Sequence, residues 1–333
     1  MEPTLLGRRA FLNFLGCAVL IRPNPAIAQQ WIRPRTVGVL MGFARDADTQ
    51  ARAKAFEKGL EKEGWTIGKD LRIEYRFSGG DVKRMEAIAQ EFVKLNPDCL
   101  LGQSTPVVEA LVQATRTIPI VFVAVADPIG SKFVASMARP GGNVTGFTII
   151  QPSMTAKYVS MLREIVPRLA RVAFMYNPDS ATGKVFLPSF FDAAKAYKIE
   201  ATTIQVQNAD EIELGITNLA ATPDVGLIIV PDNFVIVHRE LIISLTARYR
   251  IPAIYPYRYF TEAGGFLSYG VDAVDLFERA SVYVSRILRG ANPGELPVQA
   301  PTKFELVINL KTAQDLGLTI PKVLLAGADL LIQ

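Results

Sequence analysis

The chain has 333 residues, half of them hydrophobic, with 36 basic against 32 acidic side chains, one histidine and two cysteines. That length supports a large buried core and is a prior for two domains. One histidine and two cysteines give a transition-metal centre almost nothing to be built from, and no Lys/Arg cluster tracks a phosphate backbone, which argues against nucleic acid as a partner.

The first 28 residues read as an export signal. Arg8 and Arg9 precede Ala10, Phe11 and Leu12, an apolar run follows over 14–21, and Ala26-Ile27-Ala28 forms a small-x-small cleavage site. The apolar run is too short to span a bilayer. The segment is therefore expected to be cleaved after about Ala28, which places the mature protein in the periplasm. Paired arginines suit the twin-arginine route, with the general secretory route open beside it. Cleavage takes away Arg8, Arg9, Arg22 and Glu2 and leaves a nearly neutral chain; it also takes Cys17, so Cys99 has no partner for an intramolecular disulfide.

From residue 36 onward, short apolar runs alternate with stretches of helical length and period, the pattern of parallel sheets covered by helices. Strands are predicted at 36–41, 71–77, 99–102, 120–125 and 144–149, with helices at about 48–63, 82–95, 106–116 and 129–138. The order then restarts with a helix at 153–166 and strands at 171–176, 201–206, 226–230, 253–255 and 266–269, their helices falling near 183–198, 209–221 and 236–250. A helix at 274–288, a Pro/Gly-rich passage over 290–301, a strand at 304–308 and a short helix from Leu310 complete the chain. The fold class is α/β, with two Rossmann-like doubly wound lobes. One lobe is expected to take 36–148 plus about 274–300, the other 149–272 plus about 301–333. The chain then crosses three times, at about 148–152, 269–274 and 298–304, and forms a three-segment hinge over a cleft.

In such sheets ligands bind beyond the carboxyl ends of strands, where helix N-termini present free N–H groups. Phe43 follows the first strand. Ser104 and Thr105 follow the third, ahead of Pro106, and offer a cradle for a carboxylate. Asp127, Asp232 and Tyr255 stand at later strand ends, and Asp272 follows the strand before the long helix. Acids facing a cationic cradle suit a zwitterion, with an aromatic ring as an apolar wall; each Asp can equally be a helix cap. His238 is read as a helix surface residue. Catalytic signals are weak: there is no triple-glycine dinucleotide turn, phosphate loop or Gly-x-Ser-x-Gly elbow, and no cofactor or metal is expected.

Three stretches carry a family resemblance: Arg139-Pro-Gly-Gly-Asn-Val-Thr-Gly146, Ala263-Gly-Gly-Phe-Leu-Ser-Tyr-Gly270 and Pro301-Thr-Lys-Phe-Glu-Leu-Val-Ile-Asn-Leu-Lys-Thr-Ala313. Together, over about 37–331, the chain resembles the ABC-transporter substrate-binding family that includes tryptophan- and tyrosine-binding periplasmic proteins. The resemblance implies a binding protein and not an enzyme, with a type I periplasmic binding fold whose lobes close over a small zwitterionic or carboxylate ligand and dock on an inner-membrane permease; a monomer is expected. It places Phe43, Ser104 and Thr105 (as carboxylate ligands), Asp127, Asp232, Tyr255 and Asp272 at the cleft. The chain departs from the commoner family form at Gly42-Phe43-Ala44-Arg45-Asp46, which replaces a Ser/Gly-rich turn. An exported α/β enzyme or a ligand-sensing module is the alternative reading.

Overall fold

Strand β1 (Arg35–Met41) lies between β2 (Leu71–Phe77) and β3 (Cys99–Gln103), and β4 (Ile120–Val125) and β5 (Val144–Thr148) extend the sheet in the order β2-β1-β3-β4-β5, all parallel. This computed structural model describes residues 33–149 and 153–333; the expected export signal and part of the first expected crossing lie outside them. Every residue of β3 and β5 is buried, as a parallel sheet covered on both faces requires. The helices α1 (Ala47–Lys62), α2 (Val82–Leu95) and α3 (Thr105–Ala114) make the crossovers. In α2 the apolar stripe Met85, Ile88, Ala89 and Phe92 is buried, Asp81 caps the start by accepting from the Arg84 amide, and Asn96 ends the helix in the left-handed region at φ 49°.

The second sheet follows the same logic. After α4 (Ser153–Ile165) come β6 (Arg171–Tyr176), α5 (Ala181–Tyr197), β7 (Glu200–Gln205), α6 (Ala209–Ala220), β8 (Val225–Ile229), α7 (Asn233–Val237), α8 (Arg239–Arg248), β9 (Ala253–Tyr255), α9 (Arg258–Glu262) and β10 (Leu267–Val271). Then α10 (Ala273–Leu288) returns to the first lobe, where Leu276, Phe277, Ala280 and Val284 share a core with Val37, Val39, Phe56 and Leu101. The approach is close because α1 offers Gly59: a Cβ there would lie 3.0 Å from the Glu278 carbonyl and closer still to the Ser281 side chain.

Past α10 the chain runs beside β5, where the Gln299 amide donates to the Gly146 carbonyl and the Thr148 amide to the Gln299 carbonyl, both at 2.9 Å. It then re-enters the second sheet as β11 (Phe304–Asn309), followed by α11 (Leu310–Asp315), α12 (Lys322–Ala326) and β12 (Leu330–Ile332). The order there is β12-β11-β10-β9-β8-β6-β7. The second and third crossings are bound to each other, the Asp272 amide donating to the Lys303 carbonyl at 3.2 Å and the Lys303 ammonium to Asp272 at 2.6 Å.

Four features differ from the sequence reading. Residues 129–138 are turns and not a helix: Asp127 accepts from the Gly130 amide at 2.7 Å and Lys132 sits at φ 58°, so the apolar spacing buries Phe133 and Val134 without helical backbone. The span 236–250 is broken at His238, which ends α7 and starts α8. Neither α9 nor the terminal α12 and β12 was anticipated, being only three to five residues long. Finally, β11 runs antiparallel to β10, because the chain enters it from the far lobe and not through a crossover helix on the same sheet. Cys99 is fully buried, and burial pushes its thiol pKa up, which suits its reading as a small apolar residue.

Candidate functional site

Both sheets direct their carboxyl-terminal strand ends toward a cavity of about 700 Å³. The first lobe contributes Gly79 and Gly80 from the loop after β2, Thr105, Pro106 and Glu109 from α3, and Phe133. From the second come Asn177, Ser180 and Thr182 around the start of α5, then Asp232, Asn233, Phe234 and His238. The N-termini of α2, α3 and α5 therefore border one space, each with free amides and a partial positive charge.

The start of α3 is unusual. Ser104 holds φ 84°, a region that costs a non-glycine residue on the order of 1–3 kcal/mol, and its side chain makes no capping bond. Its hydroxyl accepts instead from the Asn233 side-chain amide of the other lobe at 3.3 Å. Gly42 makes room for this loop, since a Cβ there would lie 2.7 Å from the Ser104 hydroxyl oxygen. Thr105 accepts from the Ala126 amide at 3.2 Å, which ties α3 to the end of β4.

Asp232 is fully buried. One carboxylate oxygen caps α7, accepting from the Phe234 amide at 2.9 Å and the Val235 amide at 3.3 Å, while the other, Oδ2, has no hydrogen-bond partner. Burial raises its pKa, opposed by the Ser180 hydroxyl and the Asn177 amide, which lie near the carboxylate outside hydrogen-bond geometry, and by the capping amides of Val235 and Phe234.

The remaining sequence candidates are placed elsewhere. Phe43 joins the second lobe's core cluster and, with Ser104, Gln103, Arg52 and Tyr257, lines a small cavity of about 20 Å³ that shares Ala124, Ile149, Pro231 and Asn233 with the large one. Asp127 holds its own turn and is not in the lining of the large cavity. Tyr255 is fully buried in the second lobe, its hydroxyl 2.8 Å from that of Thr246. Asp272 caps α10, pairs with Lys303, and borders a separate cavity of about 260 Å³ with Asp48, Arg52 and Tyr259.

Sequence reasoning passed over the aromatic wall. Phe234 and His238 stack with ring centroids 4.2 Å apart, and His238 Nδ1 lies 2.9 Å from the Phe234 carbonyl. A carbonyl only accepts, so Nδ1 is the donor in this contact. The signal was present in Asp232-Asn233-Phe234 at a strand end, but reading 236–250 as one helix put His238 on an outer surface.

A second contact joins the lobes away from the large cavity. Arg239 of α8 pairs with Asp46, the cap of α1, at 3.1 Å, and the guanidinium groups of Arg239 and Arg52 lie 5.5 and 5.6 Å from the Tyr259 ring centre. Burial acts to raise the Asp46 pKa, but bonds from Thr49 and the charges of Arg239 and Arg52 outweigh it, and the pKa is lowered. A double-mutant cycle with Asp46→Asn and Arg239→Gln is expected to give a coupling of about 0.5–1 kcal/mol in denaturant unfolding, fading in about 1 M salt. Zero coupling at low salt would mean that the pair does not hold the lobes.

A family model described as ABC transporter substrate binding protein matches residues 36–332. A tyrosine-binding protein of Clostridioides difficile (strain R20291) is 27% identical over 271 residues, covering 80% of this chain and 76% of that protein. Among solved structures, a conserved domain protein from Vibrio cholerae is similar at 31% identity and a TM-score of 0.83, over 90% of this chain and all of that one. An ABC domain from Streptococcus pneumonia, solved in complex with L-Trp, is similar at 26% identity and the same TM-score and coverage. The two α/β lobes are those of the type I periplasmic binding fold.

Proposed function

The chain belongs to the ABC transporter substrate binding protein family, and from that premise we propose that it is the periplasmic receptor of an ABC importer, exported by a signal cleaved after about Ala28, which captures a small zwitterion between its lobes. The observation that carries the reading is the cavity lined by both lobes, in which helix N-termini and an incompletely bonded buried carboxylate border the same space. The α3 N-terminus with Thr105 takes the ligand carboxylate, Ser104 lining the small adjoining cavity and not the large one, Asp232 faces the ammonium group, and Phe133, Phe234 and His238 supply the apolar wall. A volume of about 700 Å³ is in the range of small-molecule pockets and admits an amino acid as large as the tyrosine and L-Trp named for the relatives.

The mechanism is closure. A ligand that touches both lobes at once binds the closed state better than the open one, and that difference in affinity shifts the population. The permease reads the closed pair of lobe surfaces, the receptor is a monomer, and no bond is made or broken. A thermal-shift screen of amino acids, small carboxylates, purines, vitamins and sugars, with calorimetry on each hit, tests the reading. One solute class should raise the melting temperature with one-site binding and unchanged solute. Conversion of a bound solute to product would replace the receptor with an enzyme.

A further inference from the structure

The charges around the large cavity are lopsided. Asp81, Glu109, Asp179 and Asp232 line it, and among the described residues no lysine or arginine does. None of the four carboxylates is in an ion pair among the described residues. Asp81 is satisfied by the Arg84 amide and Asp179 by the Gln207 side-chain amide, both neutral donors. Glu109 stands one turn into α3, exposed and without a side-chain hydrogen bond among the described residues, and Asp232 keeps a buried oxygen with no donor. The buried Arg52 borders the small cavity and the one beside Asp272, not the large one, and its guanidinium lies over the Tyr257 and Tyr259 rings.

Each helix N-terminus supplies roughly half a positive charge at best. The N-termini of α2, α3, α5 and the short α7 that border the cavity together do not balance four carboxylates, and that of α3 is assigned to the ligand's own carboxylate. A ligand with a single ammonium group leaves the cavity negative, whereas one with a second cationic centre brings it closer to neutrality.

We propose that the solute is a net cation, an amino acid with a basic side chain, in preference to a neutral aromatic amino acid or a dicarboxylate. This rests on the receptor reading above and narrows it by charge. Asp232 faces the α-ammonium group, Glu109 and Asp179 face the second cationic centre, and Phe234 and His238 lie along the aliphatic or planar part between them. Anionic solutes are turned away by the same carboxylates, a selection by repulsion.

Calorimetry of the purified protein with L-arginine, L-lysine, L-tryptophan, L-tyrosine and L-glutamate, at low and high salt, tests this. L-arginine or L-lysine is expected to bind at least about tenfold more tightly than the neutral pair, with affinity falling as salt rises, and L-glutamate to bind weakest. Glu109→Gln, at an exposed position, is expected to narrow the ratio between the basic and neutral amino acids, and Asp179→Asn to do the same; ligand-free melting curves confirm that each variant folds. One-site binding with L-tryptophan, L-tyrosine or L-glutamate the tightest, or a ratio unmoved in both variants, overturns the charge assignment and leaves the receptor standing. Failure of every probe here, with turnover of a solute in the wider screen, overturns both.

Discussion

Gly270→Ala is expected to cost roughly 3–5 kcal/mol of folding stability, among the largest effects of any single methyl group in this protein. A Cβ on Gly270 in β10 would lie 1.7 Å from the Pro256 carbonyl oxygen and 2.7 Å from its carbon. Both are backbone atoms, so no rotamer change relieves the clash, and the loop after β9 must move away from β10. Gly146 in β5 is a second case: a Cβ there would lie 2.1 Å from the Phe122 carbonyl oxygen on β4, and the residue sits at φ 152°. Gly142 is the internal control. It belongs to the same Arg139–Gly146 stretch, yet a Cβ there meets nothing within 4 Å and its φ is ordinary; Gly142→Ala should change stability by no more than about 0.5 kcal/mol. Urea unfolding of the three variants decides the matter, and a Gly270→Ala midpoint equal to that of the unaltered protein would sink the packing argument. The glycines that end two of the family-like stretches are thus explained by the close approach of neighbouring backbone.

Asp232→Asn is expected to move stability and binding in opposite directions. Asparagine can still cap α7 through its side-chain oxygen, so the bonds from the Phe234 and Val235 amides persist. What disappears is a buried negative charge whose second oxygen has no partner. Because burial raises the carboxyl pKa in the folded state, the folded chain holds the proton more tightly than the unfolded one. Stability from this group is then fully present below the ordinary carboxylate pKa and is lost as pH rises through the folded pKa, the reverse of a salt-bridged aspartate. The ligand-free variant should accordingly melt higher at neutral pH and lack that decline. If Asp232 faces the ligand's ammonium group, the same change removes a charge-assisted bond of about 1.5–3 kcal/mol, roughly a ten- to hundredfold loss of affinity. Melting curves from about pH 3 to 7 and calorimetry with the identified solute test both halves. A variant that is less stable and binds normally would return Asp232 to the role of a helix cap.

The alternation of apolar runs with helical stretches was sufficient to read both sheets, since a strand covered on both faces must be apolar throughout and a crossover helix must carry one apolar stripe. The strand-end rule also singled out Thr105 and Asp232, both of which the fold brings to the lining of the large cavity. It was less informative for Tyr255, because a residue at a strand end can turn into the core as readily as toward the cleft, and Tyr255 finds the Thr246 hydroxyl there. The 129–138 segment misled because the spacing of Phe133 and Met137 fits a helical period, while Asp127, Pro128 and Gly130 fold the backbone into turns first.

Sequence by itself determined the α/β class, the two repeated units, the identity of the strand-end loops and the small residues at 142, 146 and 270, because these follow from local periodicity and from residue chemistry. Tertiary structure alone decided that β11 pairs antiparallel with β10, that Asn233 reaches Ser104, and that four carboxylates border one cavity with no lysine or arginine among the described residues of its lining. The division has a physical reason. Burial along one element leaves a period in the chain, whereas contacts between elements far apart in sequence depend on which faces meet, and no short stretch of residues records that.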